Sequence, residues 1–126
     1  MEQKTILVVE DERPLLEVIK IKLEKMGFAV VTARSVEEAT KQLSEVESVS
    51  AIWLDHYLLG KENGLDCVAL CKDDDATRDV PIFVVSNTVT EDKVQAYLKL
   101  GVNSYHVKAQ KRLDDIIEEI SEAIHE

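Results

Sequence analysis

Val49-Ser50-Ala51-Ile52-Trp53-Leu54-Asp55-His56-Tyr57-Leu58-Leu59-Gly60-Lys61-Glu62-Asn63-Gly64 is the stretch on which the fold turns. A short apolar run ends at a single carboxylate, Asp55, and a loop closing at Gly64 follows. A charged residue that ends a buried strand sits where a parallel sheet opens to solvent, and open α/β sheets carry their chemistry at that edge. Working outward, three more runs end in the same way. Thr5-Ile6-Leu7-Val8-Val9 leads into Glu10-Asp11, Val80-Pro81-Ile82-Phe83-Val84-Val85 into Ser86, and Ser104-Tyr105-His106-Val107 into Lys108. Phe28-Ala29-Val30-Val31-Thr32 reads as the remaining strand.

The intervening segments have helical period. Pro14 suits a first helical turn, where its missing N–H costs nothing. Leu15, Leu16, Val18, Ile19, Ile21, Leu23 and Met26 give that helix a broad apolar face, and Gly27 is placed to stop it in a left-handed cap. Ser35 and Glu38 form a candidate capping box before an inner stripe of Val36, Ala39, Leu43 and Val46. Gly64-Leu65-Asp66 opens a third helix that ends at Asp73-Asp74-Asp75. Thr90-Glu91 opens a fourth, with Val94, Tyr97, Leu98 and Leu100 before Gly101. Leu113, Ile116, Ile117, Ile120 and Ile124 mark a fifth, amphipathic helix. Five alternations of strand and helix with short connections predict a parallel sheet covered by helices on both faces, joined by right-handed crossovers. One domain is expected over residues 1–126.

Composition narrows the function. Hydrophobic residues make up 45% and charged residues 32%, the balance of an ordered globular chain. A formal net charge of −10 argues against nucleic acid or an anionic membrane as a direct partner. No apolar stretch is long enough to span a bilayer, and Met1-Glu2-Gln3-Lys4 lacks the start of a signal peptide. The expected location is cytoplasmic. Cys67 and Cys71, one helical turn apart with no neighbouring metal ligand, read as small hydrophobes.

The strand ends collect three carboxylates, a hydroxyl and an ammonium. Two unit charges near 4 Å repel by about 4 kcal/mol at an effective dielectric near 20. A divalent cation resolves the conflict, and hard oxygen ligands with retained water suit Mg²⁺. Glu10, Asp11 and Asp55, with the backbone carbonyl of Tyr57, are the candidate ligands. A carboxylate beside such a site can act as a nucleophile toward phosphorus. Lys108 and Ser86 are suited to the remaining phosphoryl oxygens.

Four stretches, Ile6-Leu7-Val8-Val9-Glu10-Asp11-Glu12, Ile52-Trp53-Leu54-Asp55, Val84-Val85-Ser86 and Tyr105-His106-Val107-Lys108, occur in the order found in receiver domains of two-component response regulators. The chain resembles that family over essentially its whole length. The resemblance implies a flavodoxin-like (βα)5 doubly wound fold, with a five-stranded parallel sheet of order 2-1-3-4-5. It also implies Asp55 as phosphoacceptor, Glu10 and Asp11 as the acid pair for Mg²⁺, and Lys108 as the contact to acceptor and phosphoryl group. Ser86 and Tyr105 match the switch residues, acting on the surface of helix four, strand five and helix five. The implied partners are a histidine kinase or histidine phosphotransfer protein and a downstream protein target. No turnover of an external substrate is expected. Helices four and five offer a face for a weak dimer of an otherwise monomeric protein.

Two departures from the family pattern stand out. Ala109 follows Lys108 where Pro is usual, which favours a trans or rearranged turn. The loop after Asp55 has Leu59 where Pro is usual, and is one residue longer before Gly64. A receiver used as a phosphorylation-independent docking module is the alternative reading. An aspartate-nucleophile phosphatase is disfavoured, because Tyr57 stands where the second acid would be needed. A flavin site is disfavoured because Glu10-Asp11-Glu12 would repel phosphate. His56 is expected at the pocket rim, and His106 facing away from Tyr105; neither is assigned chemistry.

Overall fold

A computed structural model describes residues 3–87 and 90–124. Met1, Glu2, Thr88, Val89, His125 and Glu126, which the expected domain includes, lie outside the described residues. The strands are β1 (Thr5–Val9), β2 (Ala29–Ala33), β3 (Ala51–Leu54), β4 (Ile82–Ser86) and β5 (Ser104–Val107). The helices are α1 (Arg13–Lys25), α2 (Val36–Glu45), α3 (Gly64–Lys72), α4 (Glu91–Lys99) and α5 (Leu113–Ile124). All pairings are parallel, in the order β2-β1-β3-β4-β5. This is the flavodoxin-like architecture expected.

Strand alternation divides the core in two. Ile6, Val8, Ala51, Trp53, Phe83 and Val85 pack beneath α1 and α5. Leu7, Val9, Ile52, Leu54, Ile82 and Val84 pack beneath α2, α3 and α4. The central strands therefore carry apolar residues on both faces, which is why they read as continuous runs rather than alternating ones. Cys67 and Cys71 belong to the second cluster, as small hydrophobes do.

Two local expectations are refined and one is met. The inner stripe of α1 is Leu16, Ile19 and Leu23, whereas Val18, Ile21 and Met26 are exposed. A residue two positions from an inward one points about 200° round the helix, so the apolar face is narrower than its composition suggests. Ser35 Oγ accepts from the Glu38 N–H at 3.0 Å, but the Glu38 carboxylate accepts from the Arg34 N–H at 2.9 Å, one residue before the cap. The complete capping box lies instead at α3, between Asn63 and Asp66. Gly27 and Gly101 have φ of 97° and 93°, the left-handed stops that their positions after α1 and α4 require.

Candidate functional site at the strand ends

The chain leaves β1 toward β2 on one side and reaches β3 on the other, so the loops diverge between β1 and β3. Ligand sites of open α/β sheets form in that crevice. β1 delivers Glu10 and Asp11 to it and β3 delivers Asp55. β4 ends in Ser86 and β5 is followed by Lys108. Backbone bonds continue the ladder through these positions. The N–H groups of Glu10, Asp55 and Lys108 each donate at 3.0 Å, to the carbonyls of Ala33, Val9 and Ser86.

Side chains converge accordingly. Glu10, Asp11 and Asp55 each offer a carboxylate oxygen, all within 4.8 Å of one another. The Lys108 ammonium donates to Glu10 Oε1 at 2.8 Å and to Asp55 Oδ2 at 3.0 Å. Glu10 is fully buried, and its Oε2 accepts from the Glu12 N–H at 3.0 Å. Asp55 is 4% exposed, and its Oδ1 accepts from the His56 N–H at 2.7 Å. Burial pushes the Glu10 carboxyl up to about 7; the Lys108 hydrogen bond opposes this and the Asp55 charge adds to it. Burial works against the Lys108 ammonium, but the Glu10 and Asp55 carboxylates outweigh it and hold its pKa above the ordinary lysine value. The Glu10 shift is first a consequence of burial, with the Asp55 charge adding to it and Lys108 only partly offsetting both.

Ser86 is fully buried, and its side chain hydrogen-bonds to Tyr105, which is half-buried. Burial raises the Tyr105 pKa, against the effect of that hydrogen bond. The Tyr57 ring is 56% exposed, edge-on to His56, with Lys93 Nζ 5.5 Å from its centroid. His106 is buried and faces the α1/α5 side, between Ser104 Oγ at 2.9 Å and Glu119 Oε2 at 3.1 Å. It thus points away from Tyr105, as alternation requires.

His56 departs from expectation. It is 3% exposed, not at the rim, and its Nδ1 lies 2.6 Å from the hydroxyl of Tyr97, a fully buried residue of α4. The sequence reading treats Tyr97 only as an apolar position of helix four. Arg34 was also missed: its Nε and Nη2 clamp the Asp11 carbonyl oxygen at 3.0 and 2.8 Å, fixing the backbone of a candidate ligand from the end of β2. Neither partner lies near its target in sequence, so no local pattern could reveal them. Beyond Lys108 every described peptide bond is trans, and the Ala109 N–H donates to Asn87 Oδ1 at 3.1 Å, a bond that proline could not make.

A doubly wound α/β domain with an acidic cluster and a lysine at its carboxyl strand ends belongs to the class that builds a charged site at the topological switch point. Comparison with known sequences agrees. The family described as "Response regulator receiver domain" matches residues 6–121. Among curated relatives, the phosphate regulon transcriptional regulatory protein PhoB of Klebsiella pneumoniae is 35% identical over 105 residues, covering 83% of this chain and 45% of its own length. The chemotaxis protein CheY1 of Helicobacter pylori strain 26695 is 29% identical over 104 residues, covering 82% and 83%. The chain spans a little under half the length of the PhoB relatives it matches. The phosphorylated cyanobacterial phytochrome response regulator RcpA superposes with a TM-score of 0.82 at 26% identity, covering 97% of this chain and 91% of that one. A CheY-like receiver domain protein from Methanospirillum hungatei shares the fold, with a TM-score of 0.87 at 21% identity and coverage of 98% and 94%. The chain belongs to the response regulator receiver domain family of two-component signalling. Receiver domains are signalling domains rather than substrate-turnover enzymes. Among the described residues no helix is long and apolar enough to cross a membrane.

Proposed function

We propose that residues 1–126 form a single cytoplasmic receiver domain that accepts a phosphoryl group on Asp55 from a histidine kinase or histidine phosphotransfer protein. The observation that carries this reading is the buried Asp55 carboxylate, bonded to Lys108 at 3.0 Å and set within 4.8 Å of the Glu10 and Asp11 oxygens. The donor set consists of hard oxygen ligands and fits Mg²⁺, with the Tyr57 backbone carbonyl as a further ligand. Bound there, the ion would neutralise the charge of the incoming phosphoryl oxygens.

Asp55 is the nucleophile. One carboxylate oxygen bonds to phosphorus as the donor's P–N bond breaks, and the released histidine nitrogen takes up a proton. The product is an acyl phosphate, which water later returns to carboxylate and inorganic phosphate. Phosphoryl transfer needs positioning and charge neutralisation more than covalent chemistry. Lys108 serves both, holding Asp55 Oδ2 before transfer and pairing with phosphoryl oxygen after it. On transfer Ser86 turns toward the phosphoryl group and Tyr105 follows it, remodelling the α4–β5–α5 surface read by a downstream protein. The Ala109–Asn87 bond supports this over the docking-module alternative, because it gives the turn after Lys108 its own anchor in place of the usual proline.

The test is intact mass after incubation with acetyl phosphate, with and without Mg²⁺, for native protein and Asp55→Asn. One added phosphoryl group that requires both Mg²⁺ and Asp55 is expected. An adduct of equal yield in Asp55→Asn would overturn the assignment.

A further inference from the structure

We propose that His56 and Tyr97 act as a positioning pair that fixes the acceptor carboxylate and ties it to α4, by a route that does not pass through Ser86. This rests on the phosphoacceptor reading of Asp55 and deepens it. Asp55 has two oxygens and two donors. Lys108 holds Oδ2 at 3.0 Å, and the His56 N–H holds Oδ1 at 2.7 Å. The carboxylate is therefore fixed in rotation only while the backbone of His56 stays in place.

His56 is held by the Gly64 N–H, which donates to its carbonyl at 2.9 Å, and by its own side chain. The ring is buried and bonded through Nδ1 to the Tyr97 hydroxyl at 2.6 Å, from a residue 41 positions on. The two rings stand edge to face, with centroids 5.7 Å apart. Burial, with the nearby Lys93 charge, keeps the imidazole below its usual pKa, and burial raises that of the phenol. The pair is thus a hydrogen bond between two buried side chains, where an unmet polar atom is costly. Gly64 makes the approach possible. A Cβ there would collide with the Tyr97 hydroxyl and lie 2.8 Å from the Asp55 carbonyl oxygen. Acceptor strand, loop and α4 are locked together at one point.

The lock has a consequence for transfer in each direction. In-line attack on phosphorus requires a carboxylate oxygen held in orientation, and the His56 N–H supplies half of that restraint. Phosphorylation turns one carboxylate oxygen into the bridging oxygen of a mixed anhydride and moves the negative charge outward onto the phosphoryl oxygens. At least one of the two charge-assisted bonds, to Lys108 or to the His56 N–H, must then weaken. A change at the His56 backbone passes through its ring to Tyr97, whose own ring packs 5.7 Å from that of Tyr105.

The experiment measures the rate of acyl phosphate formation from acetyl phosphate with Mg²⁺, by intact mass, in native protein, Tyr97→Phe, His56→Leu and the double variant. Tyr97→Phe preserves the ring and removes only the hydroxyl. It is expected to melt cooperatively and to react about two- to tenfold more slowly, the range a single neutral hydrogen bond spans. The double variant is expected to be no slower than the slower single variant, since each breaks the same link. Two independent packing roles would multiply instead, and that result would overturn the pair. A Tyr97→Phe rate equal to native would overturn it too, and this holds even where His56→Leu does not fold. Native protein that gains no phosphoryl group on Asp55 would overturn the receiver reading and the pair together.

Discussion

Replacing Gly64 by alanine is the smallest change that tests how tightly the acceptor is held. The new Cβ would sit 2.8 Å from the Asp55 carbonyl oxygen, 3.1 Å from His56 Cα, and closer still to the Tyr97 hydroxyl. Two of these neighbours are backbone atoms of the site and cannot swing aside. Overpacking a filled interior by one methyl costs about 1–3 kcal/mol. Pushing Tyr97 off His56 adds the loss of a hydrogen bond, about 0.5–1.5 kcal/mol. Alanine in a helix gains up to about 1 kcal/mol over glycine, and less at the first position of α3. The balance is a destabilisation of about 1–4 kcal/mol. For a chain of 126 residues this lowers Tm by roughly 4–15 °C. Trp53 is the sole tryptophan and fully buried, so its fluorescence reports unfolding in urea. The midpoint is expected to fall with the slope unchanged, the signature of altered stability rather than altered compactness. In a Tyr97→Phe background the penalty is expected to shrink, because one of the three collisions is gone. Gly64→Ala at or above native stability would refute the close packing on which the argument depends.

Acid should destabilise the fold through His106. Burial outweighs the Glu119 carboxylate and lowers the His106 pKa, so in this range the unfolded chain binds more protons than the folded one. Stability from this group is therefore complete above the unfolded value near 6.5 and is lost as pH falls from there through the lower folded value. Urea midpoints of the native protein are expected to drop more between pH 7.5 and 5.5 than those of His106→Gln; parallel curves would show that the buried imidazole protonates freely. Mg²⁺ should raise Tm by binding only the folded state, by about 2.7 kcal/mol of stability at a hundredfold excess over Kd. The shift is expected to be smaller in Asp11→Ala, and equal shifts in differential scanning fluorimetry would remove Asp11 from the site.

What the sequence made legible was what depends on local order. Each strand of the sheet centre is apolar on both faces and ends at a polar residue, which puts Asp55 and Ser86 at one edge, and the shorter edge strand β5 ends the same way at Lys108. The side of the sheet followed from alternation, which put His106 and Tyr105 on opposite faces. The α1 face was read too wide because seven apolar residues on one helix do not say which three point inward. That choice belongs to the sheet beneath, where Leu16, Ile19 and Leu23 meet the layer of Ile6, Val8 and Trp53. The box expected at Ser35 also failed for a reason outside its own four residues. Arg34 turns its guanidinium to the Asp11 carbonyl while its N–H takes the Glu38 carboxylate.

His56 and Tyr97 show the limit most clearly. A histidine after a strand-end aspartate and a tyrosine in an amphipathic helix each have an ordinary explanation when taken alone. Their meaning is a property of the pair, and the pair exists only because α4 packs where residue 64 lacks a side chain. Asparagine at position 63 starts α3 with a bond to the Leu65 N–H at 2.9 Å, which fixes where that glycine falls. The longer loop after Asp55 can then be understood as a spacer. It carries the chain from the acceptor to a cap that sets Gly64 against Tyr97, with the Gly64 N–H donating to the His56 carbonyl at 2.9 Å.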